Sequence, residues 1–76
     1  MNTELLVLWT IYDHPRDYPN AFVARRWVVE RGGERATDTL MTSDTLDWLR
    51  DQMLDMGLYR LPRDPADDPS IVETWL

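Results

Sequence analysis

Apolar and polar positions along this chain fall into short runs. The first, from Leu5 to Tyr12 (LLVLWTIY), is aromatic and β-branched and is stopped by Asp13, His14 and Pro15, which predicts a strand. Alternation places Leu5, Val7, Trp9 and Ile11 on one of its faces and Leu6, Leu8, Thr10 and Tyr12 on the other. Both faces are mostly apolar, as expected of a central strand or one covered on both sides. Residues 13–20 carry Pro15, Pro19, Asp17 and Asn20 and read as a loop. A second strand follows over residues 21–30, then Arg31, Gly32, Gly33 and Glu34 supply a tight hairpin, with the return strand over residues 35–41. Thr42, Ser43 and Asp44 offer helix caps, and Asp44 and Asp47 suit the positive end of a helix. Leu46, Leu49, Met53 and Met56 recur at helical spacing as a core-facing stripe, and Gly57 occupies the position where a helix stops with positive φ. Residues 58–61 read as a short extended piece, residues 62–70 as an irregular loop, and residues 71–75 as the last strand. The order β-β-β-α-β predicts an α+β fold: one mainly antiparallel sheet of three to four strands with a helix on one face.

Length and composition narrow the classes. A chain of 76 residues holds one domain and one core, and buries only roughly 60–65% of its unfolded surface. There is no cysteine, which excludes disulfides and thiolate metal sites. The single histidine, His14, leaves a zinc site to be built almost wholly from carboxylates, which zinc does not prefer. No cofactor is expected. Packing by Trp9, Trp27, Trp48 and Trp75 is what remains to stabilise so small a domain, the indoles of the strands being expected in the core. The run from Leu5 to Trp9 is too short for a signal-peptide core and lacks a basic flank, and no run approaches the ~20 apolar residues of a membrane span. The expected location is the cytoplasm, without a membrane partner.

Charge changes the picture more than the net value of −6 suggests. Residues 1–37 carry five acids and five arginines, and residues 38–76 carry nine acids against three arginines, so the whole excess lies in the second half. Such a field repels nucleic acid and anionic membranes and steers toward basic surfaces. At 100° per residue, Asp44, Asp47, Asp51 and Asp55 share an arc of roughly 80° on the side away from Leu49 and Met53. Successive carboxylates stand roughly 5–6 Å apart, sparser than the phosphates of a duplex but able, with Asp64, Asp67 and Asp68 nearby, to imitate their field. A solvated helix face is the alternative. Trp48 lies off the apolar stripe and near Asp55, where it either anchors an interface or tucks under the residue 62–70 loop.

Other constellations carry less chemistry. Arg25 and Arg26 are adjacent in a strand, point to opposite faces and cannot form one basic patch, so direct nucleic-acid binding is not expected. Asp13, His14 and a serine (Ser43 or Ser70) could be drawn as a triad. Neither serine has a nucleophile-elbow context, and neighbouring Asp and His are not expected to orient one another as a triad mechanism needs. Asp64, Asp67 and Asp68 lack the ligand alternation and turn glycine of a calcium loop. So small a domain also offers no sugar-binding cleft for a carboxylate pair. An enzyme is not expected.

Two stretches carry a resemblance. Trp9-Thr-Ile-Tyr-Asp-His-Pro-Arg-Asp-Tyr-Pro19, continuing to Phe22-Val-Ala-Arg-Arg-Trp27, and Leu61-Pro-Arg-Asp-Pro-Ala-Asp-Asp-Pro69, leading to Ile71-Val-Glu-Thr-Trp-Leu76, together resemble a group of short bacterial and phage-borne proteins with no known activity. The resemblance covers both ends and implies no catalytic residues. In size and charge the chain also looks like the small acidic anti-CRISPR inhibitors of phages and mobile elements, some of which imitate DNA. The expected function is therefore an acidic protein that binds a basic, nucleic-acid-binding surface of another protein. Asp44, Asp47, Asp51 and Asp55 would form the contact, with Trp48 as apolar anchor and Asp67 and Asp68 at the rim. The alternative is an interaction module with no inhibitor role, a homodimer burying its sheet face or an edge strand. A small enzyme or metal protein centred on His14 and the Asp64–Asp68 loop comes third.

Overall fold

The doubly apolar first run becomes the middle of the sheet. The computed structural model describes residues 6–76, so Leu5 of the expected first strand lies outside the described residues. The elements are β1 (Leu6–Asp13), β2 (Phe22–Glu30), β3 (Gly33–Ser43), α1 (Leu46–Asp55), β4 (Arg60–Leu61) and β5 (Ile71–Trp75). They form one antiparallel sheet in the order β3-β2-β1-β5-β4. The sheet thus has five strands rather than three to four, because Arg60 and Leu61 pair with Trp75 and Thr74. Reciprocal backbone bonds between Tyr59 and Leu76, at 2.8 and 2.9 Å, continue that ladder.

Strand register sorts the side chains into two layers. Ile11 pairs with Ala24, Ala24 with Met41, and Trp9 with Trp75, so these residues share a face. On that face α1 deposits Leu49 and Met53, both fully buried against Trp9, Ile11, Ala24 and Trp75. Phe22, Met41, Leu46, Leu58 and Val72 surround this cluster. Val72 enters it because the β1–β5 register shifts between Ile11 and Tyr12, leaving one extra residue in β5. Leu6, Leu8, Thr10 and Tyr12 face the other way and pair with Val29, Trp27, Arg25 and Val23. Trp27 is accordingly half-buried on the face away from the helix rather than in the main core.

β3 runs on at both ends beyond the expected residues 35–41. Its hairpin has a two-residue loop, with Glu30 facing Gly33. Midway its register jumps: Arg25 faces Leu40 whereas Trp27 faces Ala36, which sets Thr37, Asp38 and Thr39 against Arg26 alone. This bulge is held internally, as Thr37 Oγ1 donates to the Arg26 carbonyl at 2.9 Å and the Thr39 N–H donates to Thr37 Oγ1 at 3.2 Å.

The helix starts later than expected. Its N-cap is Thr45, in extended conformation, whose hydroxyl accepts from the Trp48 N–H at 3.3 Å. Ser43 instead ends β3 and accepts from the Thr45 N–H at 3.1 Å, so Asp44 lies one residue before the cap and outside the helix. Of the expected stripe, Met56 is the C-cap and 44% exposed. Leu58, whose N–H donates to the Met53 carbonyl at 3.1 Å, packs in its place. Gly57 has φ +76°, and nothing lies within 4 Å of where its Cβ would sit. Gly57→Ala therefore carries only the backbone penalty of a left-handed L-residue, an expected loss of about 1 kcal/mol, to be read from urea unfolding.

Candidate acidic interface

The outward face of α1 follows from its anchoring. With Leu49 and Met53 fixed inward, positions 47, 48, 51, 54 and 55 point to solvent. Asp47, Asp51 and Asp55 are all exposed. Asp47 keeps only a 3.8 Å contact with Arg50. Among the described residues neither Asp51 nor Asp55 has a cationic partner. Trp48 is 47% exposed, so it does not complete the core beneath the residue 62–70 loop. Leu54, 60% exposed, stands on the same face and escaped the sequence reading, although its offset of one from Met53 would have placed it there. The helix thus offers three carboxylates interleaved with an indole and a leucine. Asp44 adds a fourth carboxylate from the turn before the cap.

Asp67 and Asp68 do not join this surface. Asp67 borders a hollow of about 380 Å³ lined by Leu8, Thr10, Trp27 and Ile71, on the sheet face opposite the helix. Asp68 borders a neighbouring hollow with Tyr12, His14, Arg16 and Ser70. Their carboxylates shape their own loop. Asp68 Oδ1 accepts from the Ser70 N–H and hydroxyl, both at 2.8 Å, and these bonds hold its carboxyl below the ordinary range. Asp67 Oδ2 accepts from the Asp64 N–H at 3.3 Å, and Asp64 Oδ1 from the Ala66 N–H at 2.9 Å. Arg63 Nε closes the loop on the Ile71 carbonyl at 3.0 Å.

The same end of the sheet gathers the two stretches of the resemblance. The Asp13 N–H donates to the Ser70 carbonyl at 2.8 Å, joining the residue 14–21 loop to the residue 62–70 loop. His14 has φ +47°, and its ring lies edge-on to Phe22 with centroids 4.9 Å apart. His14 Nδ1 bonds its neighbour Asp13, without a serine bonded to the ring to complete the arrangement a triad needs. No triad results: Ser70 Oγ donates to Asp68, and Ser43 Oγ accepts from Thr45. Among the described residues no three His, Cys, Asp or Glu side chains are gathered to hold a metal. No described helix is long and apolar enough to cross a membrane.

Two groups on the far face sit in unusual surroundings. Burial pushes the Tyr12 phenol above its ordinary range, against the opposing influence of Trp27 and Arg25. The Trp27 indole N–H lies close enough to bear on that hydroxyl but meets no acceptor with hydrogen-bond geometry. Arg25 bonds Asp17 through Nη2 at 2.9 Å, while its buried Nε is unpartnered.

Inside the core, sequence reasoning missed Glu73. It is 4% exposed and receives Arg50 Nε at 2.9 Å, Arg50 Nη2 at 3.1 Å and Trp75 Nε1 at 3.1 Å, with Arg60 at 3.6 Å. Burial would push this carboxyl up. The bonds from Arg50 and Trp75 and the charges of Arg50 and Arg60 outweigh it and hold the group below the ordinary range. A lone glutamate between Val72 and Trp75 in an apolar strand was the available signal. Glu73 thereby ties the acidic helix, through Arg50, to β5 and β4.

No protein-family model, curated protein or solved structure matches the chain.

Proposed function

We propose that this chain is a small acidic binding protein that works by covering a basic, nucleic-acid-binding surface of another protein. It would act in the cytoplasm and without catalysis, in the manner of phage or mobile-element inhibitors. The observation that supports this most is the outward face of α1, where exposed Trp48 and Leu54 stand among Asp47, Asp51 and Asp55. A face meant only for solvation has no use for an indole and a leucine. An interface core does, since tryptophan is enriched among the residues that dominate binding energy. The carboxylates would then steer the encounter and select a cationic partner, and Asp44 would extend the row toward the sheet end.

The experiment is an affinity capture from host lysate at low salt, eluted by a salt gradient, with each captured protein then tested for displacement of its nucleic acid. The double variant Asp47→Arg/Asp51→Arg reverses the charge of two exposed side chains and is expected to leave the fold intact. It is expected to weaken binding of the captured protein at least ~100-fold, through a slower association that is steeply salt-dependent in the unmodified chain. A partner that binds both proteins equally, or that keeps its nucleic acid when saturated, would rule out the acidic-face reading.

A further inference from the structure

The residue 14–21 loop covers one end of the sheet face opposite α1, setting Pro15 and Asp17 against Tyr12, Val23 and Arg25. Beyond it lies the hollow of about 380 Å³ that Asp67 borders, and Glu34 borders it as well. The volume falls within the range of small-molecule sites. Glu34 comes from β3 and Asp67 from the loop before β5, so β2 and β1 lie between them. Thr10 and Thr74 face each other across β1 and β5 and both line the hollow. Thr10 is only 8% exposed, yet its hydroxyl has no hydrogen-bond partner among the described residues, and neither has that of Thr74. So deeply buried a hydroxyl is normally satisfied. Neither Glu34 nor Asp67 has a cationic partner among the described residues, and Asp67 spends only one carboxylate oxygen, on the Asp64 N–H. Two arginines close by are committed elsewhere: Arg25, across from Thr10, to Asp17, and Arg63 to backbone carbonyls.

We propose that this hollow binds a linear aliphatic polyamine. A primary ammonium carries three N–H donors and no acceptor. At one end the Thr10 and Thr74 hydroxyls and the second oxygen of Asp67 supply three acceptors and a negative charge. In the middle Leu8 and Trp27, paired across β1 and β2, shelter methylene groups, and the indole face attracts a cation. Glu34 receives the second ammonium at the far end.

Spacing selects a long chain with a charge at each end. Glu34 faces Val29 and Val29 faces Leu6, so Glu34 stands level with Leu6 and two to three strands across from the Thr10–Thr74 pair. At ~3.3 Å per residue and ~4.8 Å per strand, the backbones are roughly 18 Å apart, and roughly 12 Å remain once the side chains reach inward. A metal ion or a short monoamine cannot bridge that gap, whereas a chain the length of spermidine can.

The test is calorimetric titration of the full chain with spermidine in about 0.15 M NaCl, where loose surface attraction is screened. The indole N–H resonance of Trp27 is followed in parallel by NMR. One-to-one binding with Kd of roughly 10 µM to 1 mM is expected, with a shift of the Trp27 resonance. Glu34→Gln, on an exposed side chain, and Thr10→Val, which loses the hydroxyl at similar size, should each weaken binding at least ~5-fold. Butylamine, with a single ammonium, should bind at least ~10-fold more weakly than spermidine. Asp47→Arg/Asp51→Arg should bind as the unmodified chain does. Should Thr10→Val fail to fold by near-UV circular dichroism, Thr74→Val removes the facing hydroxyl from a half-buried position and is expected to weaken binding likewise. Absence of saturation by ~10 mM spermidine overturns the proposal. So does binding that Glu34→Gln and the threonine variant both retain, that butylamine matches, or that the helix variant abolishes. The hollow and the acidic helix lie on opposite sides of the sheet and are read by different variants, so either reading can fail alone.

Discussion

Replacing Glu73 by alanine is expected to cost about 3 kcal/mol, the largest loss available from one polar side chain in this protein. The carboxylate is buried and engages Arg50, Arg60 and Trp75 at once. Breaking such a pair leaves an uncompensated charge, typically at ~3–5 kcal/mol. Arg50 is one-third exposed and can partly rehydrate, which places the cost at the lower end. A domain of this length has roughly 4–11 kcal/mol in total, and each kcal/mol moves Tm by about 4–8 °C, so a fall of well over 10 °C in a thermal melt is expected. A loss under 1 kcal/mol would mean the network is not formed in solution. The pH dependence has a definite sign. Because the folded carboxyl titrates below its unfolded value, its stabilisation is fully present above the unfolded pKa and disappears as pH falls through the folded one. Glu73→Gln should therefore differ most from the unmodified chain at neutral pH and converge with it under acid.

Leu49→Ala is expected to cost as much, about 3–4 kcal/mol. Leu49 is fully buried beneath a helix that touches the sheet chiefly through it and Met53. Removing a buried leucine costs ~2–5 kcal/mol, more where the surroundings cannot collapse. Here the flanking indoles of Trp9 and Trp75 are pinned by strand pairing, so the cavity stays open. Leu54→Ala, one turn on and 60% exposed, should change stability by less than ~0.5 kcal/mol. Equal urea midpoints for the two variants would show that the helix is seated differently. The comparison also separates loss of binding by unfolding from loss by a missing contact, since Leu54 lies on the proposed interface and Leu49 does not.

The fold was legible where patterns were unambiguous. The doubly apolar β1 identified itself as central, the glycine pair located the β2–β3 hairpin, and Gly57 ended the helix. Errors fell where two local rules competed. Thr42, Ser43, Asp44 and Thr45 are all competent caps, and strand pairing of Ser43 with Phe22 moved the cap to Thr45. Met56 fits the helical spacing, but the chain has already left the helix there. Residues 58–61 read as extended, but the two residues of β4 are too few for any periodicity to reveal that they join the sheet as a fifth strand. The outward carboxylates of α1 followed from the wheel. Asp67 and Asp68 did not belong with them, because sequence proximity to the helix says nothing about which side of a sheet a loop lands on.

The bulge in β3 has a consequence for how the protein behaves at high concentration. β3 is the long strand at the sheet's margin, the kind that recruits strands from other molecules and seeds fibrils. Its hydrogen-bonding rim is broken midway by Thr37, Asp38 and Thr39, two residues in excess of what a partner strand could match, with Asp38 set outward in solvent. At the opposite margin β4 offers only two residues. Neither margin offers an unbroken ladder of more than a few bonds, so both edges of the sheet are poor templates for the strand of another molecule.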